Sequence, residues 1–147
     1  MNYFYMILKR VLTLLVLVTL FSASCVNNID YGKKIEKGEG ILYYKDNVTD
    51  EEAMRLVDYL YNEGIFSIKK KSNIKKIKMQ LSKPDNIYIL KFIVREDRLE
   101  DDEYSDITTV FLNELSDNVF KSKDLEIHFC DNKFNTLKII KKDTSRF

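Results

Sequence analysis

Ile87-Tyr88-Ile89-Leu90-Lys91-Phe92-Ile93-Val94 is the stretch on which the fold turns. Tyr88, Leu90, Phe92 and Val94 share one alternation, and Ile87, Ile89 and Ile93 share the other. A strand with one wet face alternates apolar and polar residues; this run does not, and it predicts a central strand. Ser82-Lys83-Pro84-Asp85-Asn86 before it is a turn. Ahead of the turn, Ile77, Met79 and Leu81 alternate with Lys76, Lys78 and Gln80, the pattern of a strand with one solvated face.

Further upstream, Thr49-x-x-Glu52 is a capping box, with Val48 placed to staple against Ala53 or Met54. Ala53, Leu56, Val57 and Leu60 fall on one helical face, and Gly64 ends the helix in the left-handed conformation. Gly40-Ile41-Leu42-Tyr43-Tyr44 reads as the strand before that helix. Downstream, the charged loop Glu96–Glu103 leads into a second helix with Tyr104, Ile107, Phe111, Leu115 and Val119 at helical spacing. Leu125, Ile127 and Phe129 alternate with Glu126, His128 and Cys130, and after a break at Asp131-Asn132 the stretch Phe134–Ile140 supplies a last strand. The order β-α-β-β-α-β-β predicts an α+β domain: a ferredoxin-like βαββαβ sandwich with an extra C-terminal strand, two helices lying on one face of an antiparallel sheet. The lysine-rich strand then takes an edge and Ile87–Val94 the interior.

The N-terminus is different material. Lys9-Arg10 precede an uninterrupted apolar run of 11 residues, Val11–Phe21, and then Ser22-Ala23-Ser24-Cys25. A basic start, a short apolar core and small residues before a cut form a secretory signal. The run is well short of the ~20 residues of a spanning helix, and extending it would place Lys9 and Arg10 in the bilayer at about +2.5 to +3.5 kcal/mol each. Ala23-Ser24-Cys25 resembles the lipobox of bacterial lipoproteins, although Ser22 stands where Leu is commonest. The resemblance implies cleavage before Cys25, lipidation of its thiol (diacylglyceryl, palmitate-type chains) and a membrane-anchored place in the bacterial cell envelope. Val26 after it favours the outer membrane or surface in a Gram-negative cell. Ordinary secretion with a free Cys25 thiol and an uncleaved anchor are the alternatives.

The expected organisation is therefore a signal peptide at 1–24, a lipid-anchored tether at 25–39, one α+β domain at 40–142 and a tail at 143–147. Over 147 residues there are 24 Lys+Arg against 23 Asp+Glu. Removing Lys9 and Arg10 leaves the processed chain at a formal −1. That balance excludes a strongly basic nucleic-acid binder, and a single histidine excludes a multi-histidine metal site. Tyr43-Tyr44, Val48-Thr49-x-Glu51-Glu52-Ala53, Leu81-Ser82-Lys83 and Ile127-His128-x-Cys130-Asp131 resemble a small uncharacterised bacterial envelope-associated domain. The resemblance covers about residues 40–140 and implies no activity.

His128-x-Cys130-Asp131 is the one constellation of reactive groups. Residues two apart on a strand share a face about 6.5–7 Å apart, too far for an imidazole to activate a thiol directly. A structural role is therefore preferred to a thiol or metal site, and no catalytic residue, metal or cofactor is assigned. The lysines at 69, 70, 71, 75, 76 and 78 read as edge protection, with contact to anionic lipid as the alternative. The acids Glu96–Asp106 lack calcium-loop spacing and suit a helix N-terminus. With helices on one face only, a doubly apolar central strand leaves an excess: Tyr44 or Tyr43, Tyr88, and Ile87 or Ile89 are expected on the open face. These residues mark an interface for a protein partner or a homodimer, unless the tether or last strand covers them. The sequence thus reads as a lipid-anchored, non-enzymatic interaction or structural module. A small ligand- or lipid-binding domain is the alternative, with a thiol or metal site at His128 and Cys130 behind it.

Overall fold

The doubly apolar run forms an interior strand. The computed structural model describes residues 30–45, 47–67 and 76–142, ordered β1 (Lys33–Lys37), β2 (Gly40–Tyr44), α1 (Asp50–Asn62), β3 (Ile77–Ser82), β4 (Tyr88–Ile93), α2 (Asp102–Asn118), β5 (Leu125–Cys130) and β6 (Thr136–Lys141). The six strands form one mixed sheet in chain order. β2 and β3 are parallel, as are β4 and β5; the other three neighbouring pairs are antiparallel.

This α+β architecture corrects the ferredoxin-like expectation. In that topology each crossover skips a strand and the sheet is antiparallel. Here each helix connects strands that lie side by side, and β3 is interior, not an edge. Hydrophobic alternation reports which face of a strand is buried, but it does not report which strand lies alongside, so it could not distinguish the two arrangements. The second correction concerns the stretch read as tether. Lys33–Lys37 pairs antiparallel with β2 through a two-residue turn at Gly38-Glu39. Gly38 sits at φ +57°, and a Cβ there would lie 2.3 Å from the Phe66 carbonyl oxygen. The domain therefore begins before Gly40. Residues 1–29 and 143–147, including the signal, Cys25 and the tail, lie outside the described residues, as do Lys69–Lys71 and Lys75.

Leu42, Tyr44, Met79, Leu81, Tyr88, Leu90, Ile127 and Phe129 turn to one face of the sheet and form one core with Ala53, Leu56 and Leu60 of α1 and Leu112 and Leu115 of α2. Both helices therefore cover this face. The two crossovers step the same way across the sheet while β4 and β5 run opposite to β2 and β3, so they have opposite hands. Only one of them follows the right-handed preference.

α1 begins as its sequence dictates. The Glu52 N–H donates to Thr49 Oγ1 at 3.2 Å, and the Thr49 N–H donates to Glu52 Oε2 at 2.8 Å. Gly64 closes it at φ +85°. α2 differs from expectation: Thr108, Leu112, Leu115 and Ser116 are its buried residues, while Ile107 is 59% exposed. Of the expected stripe, Leu115 and Val119 are buried and Tyr104 and Phe111 pack against the core, so Ile107 alone departs, where α2 meets the sheet over β5 and β6.

Candidate functional site

His128 and Cys130 project from β5 towards the face that carries no helix, but they do not form a reactive pair. A carboxylate only accepts, so His128 Nε2–H donates to Glu126 Oε2 at 2.9 Å. Nδ1 pairs with the Thr136 hydroxyl at 3.1 Å. Cys130 is fully buried, its thiol points to the His128 carbonyl oxygen at 3.4 Å, and burial pushes its pKa up. A buried thiol with a raised pKa and no base at hand is a weak nucleophile. Glu126, held below the usual carboxylate range by His128 and then Lys141, ties β5 to β6. Glu126 and Thr136 were not singled out from sequence; the i, i+2 spacing of Glu126 and His128 was the available signal. Among the described residues, no three His, Cys, Asp or Glu side chains gather as a metal site.

The residues expected on the open face divide. Tyr88 is 1% exposed and Tyr44 6% exposed, and both face the helices. The Tyr88 hydroxyl donates to Glu52, and the Tyr44 hydroxyl donates to Asp50 at 3.0 Å. Their place on the open face is corrected by strand parity: both lie in register with the core-facing Leu81, Leu90 and Leu125. Ile89 does face the open side, half-buried between Ser82 and Glu126, and Ile87 is half-buried at the end of the β3–β4 turn. That face is also partly covered. Phe134, from the β5–β6 loop at φ +62°, and Tyr31, from ahead of β1, close on Tyr43 with ring centroids 5.3–6.1 Å apart. Gln80 Nε2 donates to the Tyr31 carbonyl at 3.1 Å and Lys91 Nζ to that of Phe134 at 3.0 Å. The row beneath this cover is polar, Gln80–Lys91–His128, with Gln80 and His128 buried, rather than an open tyrosine patch.

The open apolar surface lies on the helical side. Beside α2, between its residues Tyr104–Glu114, the start of β3, the end of β4 and Ile65 just after α1, the described residues leave a groove of about 550 Å³. Ile77, Met79 and Phe92 make its floor, Ile65 one end, and Tyr104, Ile107, Val110 and Phe111 its wall. Ile107 and Val110 are each 59% exposed. Lys78 and Glu114 are the charged residues on its lining. Sequence reading missed it because Ile107 was assigned to the core; Val110, three residues on and off the predicted stripe, was the legible sign.

Comparison with known proteins adds the lineage. The model of the AF_1994_N family N-terminal domain matches residues 34–142, from the first residues of β1 to just past β6. The chain belongs to the AF_1994_N family. No curated protein and no solved structure matches it. The AF_1994_N match includes β1, in agreement with the sheet and against a boundary at Gly40. No helix among the described residues is long and apolar enough to cross a membrane.

Proposed function

We propose that this domain is a non-enzymatic binding module that holds the tail of a single-chain amphiphile in the groove beside α2, with the head left in water at its mouth. One observation carries the reading: among the described residues, a groove of about 550 Å³ with a mainly apolar lining, beside two exposed aliphatic side chains. Its size is within the 300–1,000 Å³ of small-molecule sites, and its lining of aliphatic and aromatic groups with a few polar ones is the chemistry such sites use. The buried thiol and the engaged imidazole argue against nucleophilic chemistry at His128 and Cys130.

The lipobox-like Ala23-Ser24-Cys25 supports presentation of this module at a bacterial envelope membrane by lipid on Cys25. Two or more acyl chains anchor stably where one is marginal. Labelled palmitate should enter the wild-type chain and not the Cys25→Ala variant; equal labelling refutes the anchor. For the groove, the test is calorimetric titration of palmitate into the chain starting at residue 25 with Cys25→Ser. Saturable binding weakened at least tenfold by Val110→Asp is expected. No saturable heat, or an unchanged Kd in that variant, refutes it.

A further inference from the structure

The chain enters the sheet at one corner, and the groove lies at the opposite one. Lys33, the first residue of β1, pairs with Tyr44 at the end of β2, which stands level with Leu81 near the end of β3. The floor of the groove comes from the other end of the strands: Ile77 opens β3, level with Gly40, and Phe92 and Ile93 close β4. The two also lie on different faces. Just ahead of β1, Tyr31 packs on Tyr43 and its carbonyl accepts from Gln80 Nε2 at 3.1 Å, both on the face without helices. The groove runs beside α2, on the helical face. Asp30 is tied to this same entry, where its side chain accepts the Gly32 N–H at 2.9 Å.

Cys25 lies only five residues ahead of Asp30. Fully extended, five residues span at most about 18 Å, and any other conformation of them is shorter. A domain of about 110 residues has a radius of gyration of about 13 Å, or about 34 Å across as a sphere. Laying the groove on the bilayer would lift Asp30 most of that width above the head groups, beyond what the five residues reach. We infer that lipid on Cys25 seats the domain on its bilayer by the corner where β1 enters, with the groove turned away from that bilayer and loaded from the aqueous side. The inference rests on the readings of Cys25 as an anchor and of the groove as an amphiphile site, and adds the direction in which the site faces.

The test takes the chain processed in its own envelope, purified and placed in phosphatidylcholine vesicles that carry a nitroxide-headgroup lipid. Lys34 is exposed beside the entry, and Asp106 is exposed on α2 next to Ile107. A fluorophore on Lys34→Cys should be quenched at least threefold more than one on Asp106→Cys, with the unsubstituted chain as the blank for Cys130. A flexible insertion of about 20 Gly/Ser residues after Asn28, adding roughly 25 Å of reach, should bring the two labels to equal quenching. Equal quenching with the native tether, stronger quenching at position 106, no quenching at either position, or a difference that survives the insertion overturns the inference. Palmitate on Cys25 and palmitate titration of the groove are measured on the same chains. A chain without lipid on Cys25 removes the anchor and this inference together, whereas a lipidated chain with equal quenching removes the orientation alone. A lipidated chain that keeps the quenching difference but binds no palmitate overturns the loading of the groove and supports the seating.

Discussion

Replacing Glu52 tests whether the packing of α1 on the sheet depends on one buried carboxylate. Its side chain is 11% exposed and accepts hydrogen bonds from three groups. Oε2 accepts the Thr49 N–H, while Oε1 accepts Lys83 Nζ at 2.7 Å and the hydroxyl of Tyr88, beneath the helix. Burial raises the carboxyl pKa, but Lys83, Tyr88 and the Thr49 N–H together outweigh it and bring it down to about 2 from an ordinary 4.5. At 1.36 kcal/mol per pKa unit that difference corresponds to about 3 kcal/mol of stability. Because the folded pKa is depressed, this contribution is fully present above pH 4.5 and lost as pH falls towards 2. Glu52→Ala removes it, strands Lys83 and Tyr88 without an acceptor and breaks the capping box, for a cost of about 4 kcal/mol. That is a large part of the 5–15 kcal/mol of a typical domain. Glu52→Gln, which keeps the shape and the cap, should cost about 2 kcal/mol. Urea unfolding followed by far-UV circular dichroism from pH 7 to 2.5 measures both. The wild-type advantage over Glu52→Gln should shrink through the window from 4.5 to 2, and Glu52→Leu with Lys83→Met should recover part of the loss. A Glu52→Gln chain as stable as wild type at pH 7, or a difference that does not change with pH, would refute the reasoning.

Gly40 faces the core, and a Cβ there would lie 2.1–2.3 Å from the Phe66 ring; Gly40→Ala should cost about 1–3 kcal/mol by overpacking, read from the urea midpoint. The Cys130 thiol should react with a thiol reagent at least a hundredfold more slowly in the native chain than in denaturant, since it is both buried and held protonated by burial; equal rates would show that this part of β5 opens freely. Tyr88→Phe should cost no more than about 1.5 kcal/mol in the same unfolding assay, because Glu52 keeps Lys83 and the Thr49 N–H.

The sequence alone determined what depends on local physics. The capping box at Thr49 and Glu52, the stripe Ala53-Leu56-Val57-Leu60, the stop at Gly64 and the interior character of Ile87–Val94 each follow from side-chain chemistry or from a period of two or 3.6 residues. Tertiary structure decided what requires a neighbour. Lys33–Lys37 is too polar to read as a strand and becomes one because β2 offers it a ladder. Tyr44 and Tyr88 turn inward with the core-facing parity of their strands, and their hydroxyls bond Asp50, six residues on from Tyr44, and Glu52, 36 residues before Tyr88. Ile107 leaves the core because α2 sits over β5 and β6, opening the groove that is now the candidate site. Strand order, crossover hand and the Tyr31–Tyr43–Phe134 cover all belong to this second class. Periodicity specifies which face of an element is apolar, while only packing specifies what lies against that face.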